Sequence, residues 1–349
     1  EKSYPNLFTV RPSLNGYMYG NYKALSILYA QKAVETGETE DTRKSAKYAQ
    51  RASSLRDDFI RALWYQPTEQ EDFHFYEQRG AIYEPFFYSR LSGDNKHTGG
   101  VVDNVSLIRE TVGYTPWYFN MLPIEETKFD VAWKQFGDPD GFMLPFGMST
   151  AEYRHDYFNE MSYGWNGRGW PFQNSVVNKA YANYLKNYKS SRSGISDEDR
   201  ELLYHHIDQY VELHGRRRSI GEWYLPLNGG YRMPGGGPVV QSKPEQGKGF
   251  GDVQDYFHST FPDMLIEDLL GFTSSHQNDF TLEPLLPEDK WDYFYLGDLK
   301  YHDKDIDIIW KKDWDTKKAG NQSRLCVWVN GKLTAESESL NDKLTVVLP

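Results

Sequence analysis

The chain has 349 residues, enough for one large domain or for a domain with a smaller companion. Its net charge of -11 argues against a nucleic-acid groove and against an anionic membrane surface, because both need clustered Lys and Arg. Cys326 is the single cysteine, so an intrachain disulfide framework and a cysteine-built zinc site are excluded, while the 16% aromatic content favours a folded chain with an aromatic-lined cleft.

In chain order, GNYKALSILYAQKAVETG places apolar residues at helical spacing and stops at Gly37, and TRKSAKYAQRASSLRDDFIRALW follows, so residues 20–64 are predicted to form a helical hairpin. Residues 103–136 suggest a short pair of helices broken at Pro116, with FDVAWKQF as a packed segment. A second hairpin is expected from residues 175–188 and 197–215, the latter opening on acidic residues that suit a helix N-terminus. DMLIEDLLGF, residues 263–272, reads as the last helix, closed by Gly271. Between these lie two long loops, 137–174 and 219–262, whose aromatic content argues for function over disorder. The glycine run at 233–240 lacks the strand-then-helix setting of a phosphate cradle and reads as a flap. From about residue 287 the apolar period becomes two, with Asn330-Gly331 placed as a hairpin turn. The expected domains are therefore 1–286, helical, and 287–349, antiparallel β. No apolar run approaches the roughly 20 residues that cross a bilayer, so no membrane partner is expected.

The first of the long loops ends in YGWNGRGWPFQNS, residues 163–175. Indole and phenol faces suit the C–H faces of a sugar ring, and Asn, Gln and Arg supply in-plane hydrogen bonds to hydroxyls, although the same residues would also make a buried turn with packed tryptophans. Glycoside hydrolysis needs two carboxyl groups, one acid and one base or nucleophile. Glu222, in RSIGEWYLPLNGGYR, stands beside Trp223 and Tyr224 where burial would tune its charge state; a surface Glu near Arg218 or Arg232 is the competing reading. Glu152, in MSTAEYRHD, and Glu110 also sit beside aromatic loops, Glu110 in a substrate or scaffold role. His205 and His206 show no ligand spacing, and no metal is expected. Asp255, His258 and Ser259 lie too close in sequence for a nucleophilic triad, so His258 is read as a hydrogen-bonding residue.

Six ordered blocks, RPSLNGYMYGNYKAL, RETVGYTPWYF, AWKQFGDPDGFMLPFGMSTAEYR, WNGRGWPFQNS, YFHSTFPDMLIEDLLGF and EPLLPEDKWDYFYLGDLKYH, resemble the six-hairpin, (α/α)6-barrel glycoside hydrolases. The likeness is to the mannosylglycerate-hydrolase-like domain related to processing α-glucosidases, trehalases and α-L-rhamnosidases. It implies a mainly α toroid followed by a small antiparallel β unit, and an exo-acting, inverting glycosidase that takes a terminal sugar from an oligosaccharide or glycoside without a cofactor. By position Glu222 resembles the family's base, and Glu1, in Glu1-Lys2-Ser3, resembles the tail of its acid motif. Trp117, Trp165, Trp170 and Trp223 would wall the pocket, with Glu152, Asn166, Arg168 and His258 on hydroxyls. Arg168-Gly169 replaces the family's usual Pro-Ser, which bears on substrate choice. About four hairpins are visible where the family has six, so the expected partners are a carbohydrate substrate and a missing N-terminal portion of the same enzyme, with an extracellular or periplasmic location. A non-catalytic carbohydrate-binding or pseudoenzyme domain is the alternative, and a helical scaffold a further one. Which sugar is bound depends on contacts that these blocks do not fix.

Overall fold

A computed structural model describes residues 9–68, 80, 82–91, 101–102, 105–106, 108–161, 165–217, 220–227, 260–316 and 320–349. Packing divides the chain into two compact units, Glu1–Tyr188 with Asp208–His258, and Lys189–Ile207 with Ser259–Pro349. This differs from a division at 286, which followed the change of period alone. Helical residues join the β-rich unit through polar stitches, Lys290 to Glu201 at 2.8 Å and Ser190 Oγ to Glu283 Oε1 at 3.2 Å.

In the first unit, α1 (Pro12–Thr36) begins ahead of the expected start at Gly20, because Pro12 occupies the first turn, where a helix has no use for the missing N–H. Gly37, at φ 70°, ends it and returns its N–H to Ala33 O at 2.9 Å. Then α2 (Thr39–Leu63) turns back and buries Ala52, Phe59 and Leu63. Ser26 and Ser45 lace the two helices reciprocally, each hydroxyl donating to the other's carbonyl at 3.0 and 2.8 Å, and Tyr29 stacks on Tyr48. The short strands β1 (Thr9–Val10), β2 (Trp64–Tyr65), β3 (Phe86–Phe87), β4 (Arg90–Leu91), β5 (Val101–Val102) and β6 (Val105–Ser106) pair antiparallel in the orders β1-β4-β6-β5 and β2-β3.

The segment around Pro116 forms a 3₁₀ turn at Thr111–Tyr114 running into α3 (Thr115–Tyr118), and FDVAWKQF lies in 3₁₀-type turns at Thr127–Gly137. Their rings build the core. Tyr114 stacks on Trp133 at 4.4 Å, and Phe86, Phe87, Trp117, Phe129 and Phe136 are buried around them. Against this core packs α4 (Pro171–Tyr184), which continues as a π-helical turn, Leu185–Lys189, into the short α5 (Ser190–Arg192). Next comes α6 (Asp197–Arg217). Ser196 and Asp199 cap its start in both directions: the Ser196 N–H donates to Asp199 Oδ2 at 2.8 Å and the Asp199 N–H to Ser196 Oγ at 3.3 Å.

In the second unit, α7 (Phe261–Asp263) and a π-helical segment, Met264–Leu269, replace the single expected helix, and Gly271 follows at φ 81°. Strands begin before residue 287. Here β7 (Phe272–Ser274), β8 (Asp279–Leu282) and the last strand make one sheet, while β9 (Tyr293–Tyr301), β10 (Lys304–Thr316), β11 (Gly320–Val329) and β12 (Lys332–Ser337) make an antiparallel meander. That last strand, β13 (Leu344–Val347), pairs with β8 in the order β13-β8-β7. Ile306, Ile308 and Trp310 lie fully buried opposite Val329, Val327 and Leu325, the register that period-two alternation requires. Asn330 and Gly331, both at positive φ, make the expected tight turn. A second turn of the same sign pattern, at His302 and Asp303, uses no glycine. Among the described residues no helix is long and apolar enough to cross a membrane.

Candidate active site

All of the geometry below belongs to the first unit. Residues 109–111, 150–152, 168–169 and 224 run side by side as short extended segments joined by single or double backbone bonds. Thr111 N donates to Thr150 O at 2.9 Å and Glu152 N to Arg109 O at 3.0 Å, and Thr150 N then donates to Arg168 O at 2.9 Å. Gly169 and Tyr224 exchange a reciprocal pair at 3.1 and 2.9 Å. This last bridge joins the two long loops singled out by their aromatic content. The close approach requires glycine at 169, because a Cβ there would overlap the ring of Tyr224. That ring cannot retreat: it is fully buried, its hydroxyl donates to Met148 O at 2.6 Å, and Asn174 Nδ2 donates to the Tyr224 hydroxyl oxygen.

At one edge of this layer, Arg109 and Glu152, both 0% exposed, form an ion pair at 3.2 Å. Arg109 Nη2 also donates to Ile82 O and Glu84 O, and Arg154 reaches Glu152 at 3.5 Å and Asp138 at 2.6 Å. Glu152 is thus bracketed by two guanidiniums, with no exposed oxygen for a sugar hydroxyl. Neighbouring Glu110 is buried against Arg11 and accepts from Ser89 Oγ at 3.0 Å; burial raises its pKa above the ordinary carboxylate value, against the pull of Arg11 and Ser89. Next along the chain, His155 is held down to about 4 by burial, and its Nδ1 accepts the Tyr157 N–H.

At the other edge the tryptophans assemble. Trp165 and Trp170 stack with centroids 4.9 Å apart and planes 3° from parallel, and Trp170 packs against the buried cluster of Trp223, Tyr224 and Leu225. Trp165 stays 37% exposed, and Tyr157, Met161 and Phe172 are exposed apolar side chains in the same segment or at the start of α4. Asn166 Nδ2 donates to Tyr157 O at 2.9 Å. Glu222 is half-buried on the loop that the Gly169–Tyr224 bridge anchors, and among the described residues no hydrogen bond or ion pair reaches its carboxylate.

The predicted site residues therefore divide. Trp165, Asn166, Trp170 and Glu222 lie on the two loops that the Gly169–Tyr224 bridge joins. Trp117, expected at the pocket wall, is 1% exposed in the aromatic core between Phe87 and Trp133. Trp223 is also buried, its face covered by Arg168, whose guanidinium carbon lies 3.7 Å from the ring centroid. Arg168 itself, expected on hydroxyls, turns inward and donates to Glu160 O and Met161 O at 3.3 and 3.1 Å. Glu1 and His258 lie outside the described residues. Sequence reasoning missed Glu160, a buried carboxylate whose Oε2 accepts the Leu227 N–H at 2.8 Å and so ties down the Glu222 loop; nothing in YFNEMSYG marks it. Among the described residues no three His, Cys, Asp or Glu side chains group as metal ligands.

A solved structure described as "Sialidase" shares 30% identity with this chain at a TM-score of 0.74, covering 98% of this chain and 27% of that one. The chain thus spans about a quarter of the length of that relative. A GH63 mannosylglycerate hydrolase from Thermus thermophilus in complex with Tris is 16% identical over 64% of this chain and 42% of that one, at a TM-score of 0.42. The family model of the mannosylglycerate hydrolase MGH1-like glycoside hydrolase domain matches residues 3–259, well over half of the sequence, and the chain belongs to that family of six-hairpin glycosidases.

Proposed function

We propose that this chain carries the sugar-binding and base-bearing part of an exo-acting glycosidase that works with inversion. Glu222 activates a water, which attacks the anomeric carbon from the face opposite the leaving oxygen. A second carboxyl group protonates that oxygen, and Glu1 is the candidate for it within this chain. The terminal sugar lies against the exposed side of Trp165, with Asn166 at the hydroxyls. The observation that carries this reading is the Gly169–Tyr224 bridge, which sets the Glu222 loop beside the Trp165–Trp170 stack. A half-buried carboxylate and an exposed indole on two bridged loops would supply a base and a sugar platform.

Glu222→Gln tests it. The variant keeps the shape and removes the basic oxygen, so kcat on a panel of nitrophenyl mannosides, glucosides, rhamnosides and arabinosides should fall by about 10²-fold or more while KM stays close to normal. Proton NMR of the first product formed by the unmodified protein should show the anomer opposite to the substrate's. Near-normal turnover by Glu222→Gln would remove Glu222 from the mechanism, and a retained anomer would replace inversion by a covalent intermediate.

A further inference from the structure

We propose that Arg168 is a positioning residue that aims Glu222 by clamping the indole of Trp223; the proposal rests on the reading of Glu222 as the base. Among the described residues Glu222 has no side-chain partner, and the backbone that carries it is held by contacts to the neighbouring residues. Among the described residues, the attachments on the C-terminal side include four of different kinds. Arg168 lies over Trp223, Gly169 pairs with Tyr224, Phe146 N donates to Pro226 O at 2.9 Å, and Glu160 accepts from Leu227 N. Three of these use backbone or sit at least two residues from Glu222. The Arg168 contact is made by a side chain onto the residue adjacent to Glu222, fixing the Trp223 ring in the cluster against which Trp170 also packs.

The clamp is directional. A guanidinium is planar, so donating to the carbonyls of residues 160 and 161 also fixes the plane of the group presented to the indole, 3.7 Å away. Arg168 and Trp223 are 2% and 1% exposed, which strengthens the cation–π attraction by removing water from it. The carbonyl of Arg168 holds Thr150 and the next residue is Gly169, so one dipeptide ties both neighbouring segments. Buried in this way, Arg168 acts on the reaction through Trp223 and does not touch the sugar.

Two variants separate this role from simple packing. Arg168→Met keeps the aliphatic stem and loses the planar donor, and Arg168→Lys keeps the charge without the fork. In the intact protein, with the nitrophenyl glycoside it turns over best as probe, Arg168→Met should lower kcat by roughly 10- to 100-fold. KM should stay within about twofold, and Arg168→Lys should fall between. Amide hydrogen exchange in the peptide covering 220–227 should quicken in both variants while that of α1 and α2 is unchanged. On a Glu222→Gln background, Arg168→Met should lower kcat little further, because the group it aims is already gone. A raised KM with intact kcat would overturn the proposal in favour of direct sugar contact. So would equal kcat losses on both backgrounds, or unchanged exchange at 220–227. Faster exchange together with normal turnover by Glu222→Gln would instead reject Glu222 as the base, and the positioning role with it, while leaving the clamp as an anchor for the loop.

Discussion

In β10 and β11 the buried residues Ile306, Ile308 and Trp310 face Val329, Val327 and Leu325, and every pair is flanked by further ladder bonds on both sides. In the loops at 147–170 and 220–227 the same task falls to isolated contacts: one reciprocal bridge at Gly169 and Tyr224, one carboxylate under Leu227, and one guanidinium over Trp223. The ladder distributes its holding over many equivalent bonds, so losing one leaves the register intact. Among the described residues the loops are held by fewer contacts of unlike kinds, concentrated on Gly169, Trp223, Tyr224 and Leu227. Sensitivity to substitution should therefore be concentrated in a handful of loop positions and spread thinly through the sheet.

The largest expected effect is at Gly169. An added methyl there has no space while Tyr224 is held by Met148 and Asn174, so Gly169→Ala should destabilise by about 3 kcal/mol or more, read by urea denaturation. A loss below about 1 kcal/mol would mean that the bridge yields as readily as a sheet position, and the contrast would fail. Next is His155. Its folded value of about 4 lies below the ordinary 6.5, because burial opposes the charge. The unfolded chain then binds the proton more readily, so this contribution is complete above pH 6.5 and is lost as pH falls towards 4, about 3 kcal/mol in all. His155→Gln, which retains an acceptor for the Tyr157 N–H, should be flatter than the unmodified protein in denaturation between pH 7 and 4.5; parallel curves would refute the assignment. The smallest effect belongs to the β unit. Asp303 takes φ 60° in the turn between β9 and β10, and Asp303→Gly should stabilise by about 0.5 kcal/mol by relieving that conformation, without change in kcat. A fall in the melting temperature would show that the turn depends on its aspartate.

What the sequence revealed follows the same division. Alternation placed the meander, and Asn330-Gly331 marked its turn, because both features are local and of fixed period. The turn at His302-Asp303 escaped notice because it lacks glycine, and β7 and β8 because they are short and precede the long alternating run. At the site, the aromatic and glycine content of the two loops was legible, and so was Glu222 beside Trp223. Which rings face solvent was not. Trp117 and Trp165 look alike in sequence, and their surroundings differ: Phe87 and Trp133 enclose one, while Trp170 stacks on the other. Arg168 was misread and Glu160 missed because their hydrogen-bond partners are main-chain atoms, which leave no trace in residue identity.

The parallel stacking of Trp165 on Trp170 bears on affinity in a way that contact area does not describe. A tryptophan exposed on a loop ordinarily samples several rotamers, and immobilising such a side chain on binding costs roughly 0.5–1.5 kcal/mol. With its inner face already laid flat on a neighbour 4.9 Å away, the outer indole has given up that freedom during folding. A sugar ring landing on the exposed side, as proposed, would meet a surface that is already still, so more of its stacking energy would appear as affinity and less would be consumed in ordering the receptor.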